Sequence, residues 1–191
     1  MKIKKIVDIC RREGFIKIFT DESGVQWLGC AEALYPIYDA PKFNADEFFT
    51  VFDFTEKQKA ETVFNSCPLS DDLCTDDMCI NEWLCEELSP NIPFGSRLLI
   101  PLRSDYGIGF IDSKFLDPFS DEKHSLEIFE RISGKGDRYY AVKVGMCLRA
   151  IITPFNAINK PFVDNIEEIY RLCKDTLDKR EDKDVQLQDN M

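Results

Sequence analysis

The chain has 191 residues, of which 44% are hydrophobic, and it carries a formal net charge of −11 at pH 7. This hydrophobic content and the 15 Phe residues exclude a chain that is disordered throughout. No apolar run approaches the roughly 18 residues that a membrane-spanning helix needs. The opening MKIKKIVDICRREGF lacks the continuous apolar stretch of a secretory signal, so we expect a cytoplasmic protein with reduced cysteines.

The first half of the chain predicts a helix, a hairpin and two more helices. Apolar residues from Ile3 to Cys10 recur with helical spacing, and Gly14 is placed to end that helix. Two strands are predicted on either side of the turn at 21–24, and a third apolar run ends at Pro36. Asn44 and Glu47 then form the pattern of a capping box, and a further helix is predicted at 57–64.

The second half predicts further hairpins and two more helices. Residues 97–112 have the pattern of a hairpin, and a helix is predicted from Ser120 to Ile132. Strands are predicted at 139–144 and 147–152. A final helix is predicted from Pro161, and the polar residues beyond it resemble a tail.

Together these elements predict an α+β fold with antiparallel hairpins and three to five helices. We expect one globular domain at 1–178 and a polar tail at 179–191. The alternative is two sub-units, 1–65 and 97–178, joined by residues 66–96. Duplicated strand–helix units are a second alternative, because three stretches place a Gly, an apolar strand and a Pro before a predicted helix, namely 29–36, 109–118 and 145–154.

The acidity of the chain is concentrated in residues 61–96, which we call the acidic segment. It has no Lys or Arg, and its acidic residues are Glu61, Asp71, Asp72, Asp76, Asp77, Glu82, Glu86 and Glu87. Such a concentration of negative charge attracts cationic surfaces and repels phosphate backbones. The acidic segment is therefore the first candidate for a binding surface.

The acidic segment also contains Cys67, Cys74, Cys79 and Cys85, but their spacing does not favour a metal site. Structural zinc usually uses a short C-x2-C pair, and a tetrathiolate among carboxylates would be electrostatically costly. We therefore expect no metal and no cofactor. The residues instead fit a helix capped by Thr75, with a buried stripe of Ile80, Trp83, Leu84 and Leu88.

No pattern in the chain is typical of a catalytic site. His124 is the only histidine and is expected at the solvated end of a helix. Adjacent carboxylates such as Glu86 and Glu87 would diverge on a helix and share no proton. The glycines around Lys135 lack the order of a phosphate loop. We expect a protein that is not an enzyme; an enzyme acting through a cysteine or a bound metal is the third alternative.

Four stretches, MKIKKIVDIC, GVQWLGCAEALYPIYDAPKF, NADEFFTVFDF and YYAVKVGMCLRAIITPF, resemble short proteins encoded in prophages of gut Firmicutes. Small acidic phage-type proteins commonly inhibit host defence, and type II-A anti-CRISPR proteins are one such class. The resemblance implies a role inside a bacterial host cell and a Cas9-like nuclease as a concrete partner. It assigns no site residue in this chain.

Two functional hypotheses follow from these observations. In the first, the protein is a non-enzymatic interaction protein whose acidic segment occupies a basic, nucleic-acid-binding surface of a partner. Its predicted binding residues are Asp71, Asp72, Asp76, Asp77, Glu82, Trp83, Glu86 and Glu87. The alternative is a DNA-associated phage replication or regulatory accessory protein. Its basic and aromatic patch would comprise Lys135, Arg138, Tyr139, Lys143 and Arg149.

Overall fold

The computed structural model describes residues 1–38 and 41–188, with side chains described as far as residue 179. The chain divides into a larger unit, Met1–Phe155, and a smaller unit, Asn156–Met191. The smaller unit contains one long helix, α4 (Lys160–Gln188), which continues through most of the predicted polar tail. The predicted domain at 1–178 and its two alternative sub-units stay predictions.

The larger unit has three α-helices and twelve strands among its described residues. Two 3-10 helices, Ser113–Phe119 and Lys123–Ser125, also lie in it. In chain order the unit contains α1 (Ile3–Glu13), β1 (Phe15–Thr20), β2 (Gln26–Gly29), β3 (Ala33–Ile37), α2 (Ala45–Val51), α3 (Glu56–Glu61), β4 (Val63–Asn65), β5 (Glu82–Leu84), β6 (Glu86–Glu87), β7 (Ile92–Phe94), β8 (Arg97–Ser104), β9 (Gly107–Asp112), β10 (Leu126–Ile132), β11 (Arg138–Val144) and β12 (Cys147–Ile152). The predicted α+β class with antiparallel hairpins and three to five helices is confirmed.

An eight-stranded sheet forms the frame of the larger unit, in the order β4-β1-β2-β3-β12-β11-β10-β5. Its six central strands form two antiparallel meanders, β1 to β3 and β10 to β12, joined where Ile151 pairs with Leu34. At the edges, β4 pairs parallel with β1 and β5 pairs antiparallel with β10. Two of the stretches with similar sequence, 29–36 and 145–154, contain the adjacent central strands β3 and β12. The third, 109–118, runs from β9 into a 3-10 helix. Duplication of a strand–helix unit stays a prediction.

A smaller sheet packs against one face of this frame. Strand β8 is its centre, with β9 on one side and β6 and β7 on the other. Buried side chains of α1, of both sheets and of the 3-10 helix Ser113–Phe119 form one hydrophobic core. The hairpin predicted at 97–112 is thus confirmed, and it supplies part of this core.

The opposite face of the large sheet holds a second, smaller core. Neighbouring residues such as Tyr139 and Tyr140 belong to different cores, because side chains alternate between the faces of a strand. Phe19, Trp27 and Tyr139 lie on this second face, and Leu69 and Leu73 pack against them. Residues 69–77 of the acidic segment therefore lie on the second face of the sheet, which determines where their carboxylates lie.

Local signals account for the first helices. Helix α1 buries Ile6, Val7, Ile9 and Cys10, and it ends at Gly14, whose φ of 63° is readily adopted by glycine. The Gly14 N–H donates to the carbonyl oxygen of Cys10. Helix α2 begins with the predicted capping box of Asn44 and Glu47. Both predictions are confirmed because each depends on contacts within one helical turn.

Two predicted helices are wrong. The helix expected from Thr75 is absent: residues 82–84 and 86–87 are strands, and Ile80, expected in a buried stripe, is fully exposed. The helix expected from Ser120 to Ile132 is replaced by a 3-10 turn and β10. In both cases the cause is pairing across the sheet, because β10 lies between β11 and β5 and bonds to both. The helix predicted at 57–64 ends earlier, at Glu61, and β4 follows.

Candidate functional site

One buried arginine, Arg131 of β10, fixes the acidic segment to the sheet. Its side chain is 0% exposed. Its Nε and Nη2 donate to Glu82 Oε2, over 2.9 and 2.6 Å. Nη1 donates to the carbonyl oxygens of Cys74 and Asp76, and Nη2 to that of Asp77, over 2.9, 3.0 and 3.3 Å. The guanidinium thus satisfies three loop carbonyls and a carboxylate together, which holds residues 74–77 in one conformation.

Glu82 is the counter-ion of two buried cations. Lys143 Nζ donates to Glu82 Oε1 over 2.6 Å and lies 4.4 Å from the centre of the Phe129 ring. Burial raises the pKa of the Glu82 carboxyl, but the hydrogen bonds from Lys143 and Arg131 outweigh it and hold the pKa below the ordinary value. Glu82 therefore has a structural ion-pairing role, and little of its side chain is accessible to a partner.

Further bonds attach the acidic segment to the second meander. The Cys74 N–H donates to Tyr139 Oη over 3.0 Å, and Tyr139 Oη donates to the Cys74 carbonyl over 3.3 Å. Asp77 Oδ1 accepts from the Leu148 N–H at 2.7 Å. Lys135 forms an ion pair with Asp72. Residues 72–77 are thus bonded to the turn before β11, to the start of β11 and to the start of β12.

The two sets of residues predicted as rival binding surfaces therefore contact each other. Lys135 pairs with Asp72, Lys143 pairs with Glu82, and Tyr139 bonds to Cys74. Tyr139 and Lys143 are buried. The remaining members of the basic patch are also engaged: Arg138 pairs with the buried Glu130, and Arg149 lies 5.8 Å from the centre of the Tyr38 ring. The five residues do not form a continuous exposed basic surface.

The predicted partner-binding residues separate into two groups. Asp71, Asp76 and Asp77 are exposed on the second face of the large sheet, beside the bonded Asp72. Trp83 lies on the edge strand β5, half-buried against Tyr106, with ring centres 4.7 Å apart. Glu86 and Glu87 belong to the smaller sheet, where Glu86 pairs with Arg103 at 3.2 Å. The structure therefore does not bring all eight together.

Part of the acidic segment and the β1–β2 turn form one groove, which we call the acidic groove. Its volume is about 800 Å³. Aromatic side chains contribute to its walls, namely Phe19, Trp27 and Tyr38, and the Phe19 and Trp27 rings are stacked 6.2 Å apart. None of the described residues that line it is Lys or Arg. Its carboxylates are Asp21, Glu22, Asp71, Asp76 and Asp77.

Asp21 gives the groove a fixed anionic wall. Its carboxylate accepts from Ser23 Oγ at 2.6 Å, from the Val25 N–H at 2.9 Å and from Trp27 Nε1 at 2.8 Å. Burial raises the pKa of Asp21, but the bonds from Ser23, Trp27 and Val25 lower it further than burial raises it. Sequence reasoning assigned Asp21 and Glu22 only to a turn, because no local signal connects that turn to Asp71 and Asp76.

Two cysteines of the acidic segment, Cys74 and Cys85, have the properties of structural residues. Burial, and then the charge of Glu130, raise the pKa of Cys85 to about 11, which leaves its thiol protonated at neutral pH. Burial also raises the pKa of Cys74. Within the described part of the chain, no three His, Cys, Asp or Glu side chains are grouped so that they could hold a metal ion. His124 is exposed in a 3-10 turn.

The fold and the groove together define a class: an α+β protein that presents an acidic, aromatic groove on one face of a two-meander sheet. Comparison with protein-family models, with curated proteins and with solved structures finds no match for this chain. None of the helices in the described ranges combines the length and the apolar character needed to cross a membrane.

Proposed function

We propose that this protein is a non-enzymatic binding protein whose acidic groove receives a cationic segment of a partner protein. One observation carries the proposal: five carboxylates and three aromatic rings surround a single groove whose described lining has no Lys or Arg. Carboxylates pair with Lys and Arg. The Phe19 and Tyr38 rings already lie near Lys17 and Arg149 of the protein itself, so the carboxylates are the groups that would pair with a partner's cations. The groove therefore has the chemistry to bind a basic segment and to exclude a phosphate backbone.

The way in which the acidic segment is held also supports binding. Arg131 bonds to the carbonyl oxygens of three residues between 74 and 77, and the Asp77 carboxylate is held by the Leu148 N–H. A loop held in this way loses little conformational entropy when a partner binds. Asp76 remains exposed on this ordered loop, and Asp71 is exposed just before it.

The partner class follows from the chemistry and from the resemblance to phage proteins. A protein surface that binds nucleic acid presents Lys and Arg to phosphates, and these are the groups that an acidic groove would pair with. The partner would be a nucleic-acid-binding protein of the bacterial cytoplasm, and a Cas9-like nuclease is the concrete candidate. Occupation of its basic surface would inhibit nucleic-acid binding without any chemical step.

The test compares two variants with the same change in net charge. The groove variant combines Glu22→Gln, Asp71→Asn and Asp76→Asn, and the control combines Asp53→Asn, Asp105→Asn and Glu127→Gln, all at exposed positions. The probes are a fluorescent Arg/Lys-rich peptide and a purified Cas9-like nuclease. We expect the groove variant to raise the Kd about tenfold or more and the control less than about threefold, with binding that weakens steeply with salt.

Other outcomes would overturn the proposal. An equal rise of the Kd in both variants would show that the probes are attracted to net charge alone. Absence of binding to both probes at low salt would refute the proposed function. A mobility shift of duplex or single-stranded DNA by the wild-type protein would support the DNA-associated role instead. The burial of Tyr139 and Lys143 gives no support to that alternative.

A further inference from the structure

Helix α4 carries an exposed apolar stripe. Val163, Ile166, Tyr170, Cys173 and Leu177 follow one another at alternating spacings of three and four residues, which is the pattern of a coiled-coil seam. The exposed fractions of Val163, Ile166, Tyr170 and Leu177 are 49%, 41%, 67% and 57%, and Cys173 is also exposed. The stripe thus has the residue pattern of a helix-packing surface, but its side chains are exposed.

Such a helix gains stability when its apolar stripe is covered. Helices in proteins are stabilised mainly by packing of their apolar face and less by local propensity. Helix α4 has 29 residues, so it is long enough for several layers of side-chain packing. Burial of the stripe would supply the stabilisation that local propensity does not.

The charges of α4 indicate which partner fits. Arg171 pairs with Glu168 at 2.7 Å and with Asp175 at 3.4 Å, so these three charges are satisfied within the helix. Glu167 and Lys174 follow Ile166 and Cys173 of the stripe, and neither forms an ion pair in the described part of the chain. A partner helix that presents Lys opposite Glu167 and Glu opposite Lys174 would complement both charges. A second α4 helix running in the opposite direction presents its own Lys174 and Glu167 in this way.

We propose that α4 binds α4 of a second copy of the chain in an antiparallel pair. The heptad places Ile166 opposite Leu177 of the second copy and Tyr170 opposite its Cys173. Glu167 then lies beside Lys174 of the second copy, and the two-fold symmetry repeats each contact. A parallel pair would instead set Glu167 beside Phe162 and Lys174 beside Ile169, so neither charge would be matched. This inference is independent of the acidic groove.

The first experiment is sedimentation equilibrium of the full chain over a range of concentrations. We expect a monomer–dimer equilibrium that Leu177→Ser weakens at least about tenfold. Leu172→Ser is the matched control, because Leu172 is similarly exposed, at 50% against 57% for Leu177, but lies outside the stripe. It should leave the dimer unchanged. A wild-type chain that stays monomeric, or equal effects of the two variants, would overturn the proposal.

A charge exchange tests the antiparallel orientation. Either single substitution, Glu167→Lys or Lys174→Glu, places like charges next to each other at both symmetry-related contacts of the dimer. We expect each to raise the dimer Kd about tenfold. The double variant restores both pairs and should return the Kd to within about threefold of the wild type. Failure of the double variant to recover would contradict the antiparallel pair, and circular dichroism shows whether each variant keeps its helix.

Discussion

At the scale of single residues, Arg131 has the most distinctive environment in the described part of the chain. It is fully buried, and its bonds reach a carboxylate and three carbonyl oxygens of the acidic segment. A buried cation is stable only when its donors are matched by acceptors, and here they are matched by Glu82 and the loop. Arg131 therefore connects the stability of the sheet to the order of the acidic groove.

We predict that Arg131→Met destabilises the fold by about 3–5 kcal/mol, because Glu82 and the carbonyls lose their donors inside the protein. Urea denaturation measures the change. Arg103→Met is the control, since the Arg103–Glu86 pair is more than half exposed and is worth less than about 1 kcal/mol. Equal losses in the two variants would show that Arg131 is no more important than a surface arginine.

At the scale of elements, the two sheets approach each other closely at Gly109 of β9. A Cβ atom at this position would lie 1.9 Å from Tyr140 Oη of β11 and 3.1 Å from its Cζ. Tyr140 is buried, and burial raises the pKa of its hydroxyl. The absence of a side chain at residue 109 is thus required by packing and not by backbone conformation.

We predict that Gly109→Ala lowers the free energy of unfolding by about 1–3 kcal/mol, because the sheets must separate to admit the methyl group. Adding Tyr140→Phe removes the oxygen atom and should recover part of the loss. Gly134→Ala is the control, since its new Cβ would be 3.5 Å from Asp72 Cβ, an ordinary contact. An unchanged urea midpoint for Gly109→Ala would refute the proposed packing.

At the scale of the whole molecule, the distribution of charge distinguishes the acidic segment from the rest. The chain has 35 acidic and 24 basic residues. Cations of the second meander, Arg131, Lys135 and Lys143, are used to hold the acidic segment in place. Asp21 and other carboxylates remain in a groove whose described lining has no basic residue. The interior is therefore neutralised by pairing, and the excess charge is left on the surface.

The hydrogen-bonded carboxylates of Glu82 and Asp21 predict how the free energy of unfolding depends on pH. Glu82 and Asp21 have pKa values below their ordinary values of 4.5 and 3.8, so the unfolded chain binds protons more readily than the folded one. Their contribution is fully present above the ordinary values and is lost as the pH falls toward the lowered ones.

Urea denaturation at a series of pH values below about 5 should therefore show a falling free energy of unfolding. The fall should be shallower for Glu82→Gln, which cannot take up that proton, while Glu127→Gln at an exposed position should keep the wild-type slope. Equal slopes for the wild type and Glu82→Gln would rule out a linked proton at this site.

The elements predicted correctly are those with local sequence signals. The elements predicted wrongly are those whose conformation is set by pairing with strands that lie far away in the sequence. The Gly14 end of α1 and the Asn44 capping box each involve atoms within one turn. Residues 126–132 contain spacings compatible with a helix, but they pair with seven residues of β11 and form a strand. Sheet pairing overrides weak helical preference because each strand residue gains cross-strand contacts that no local pattern records.

The amino-acid sequence by itself determined the class of fold, the hairpins and the concentration of acidic residues at 61–96. Only the tertiary structure decided what those residues do. It turns Glu82 inward to Arg131 and Lys143 and sets Asp21 beside Asp71 in one groove. The physical reason is that charge pairing depends on distances of a few ångströms between residues far apart in the chain. Those distances exist only once the acidic segment packs across the second face of the sheet.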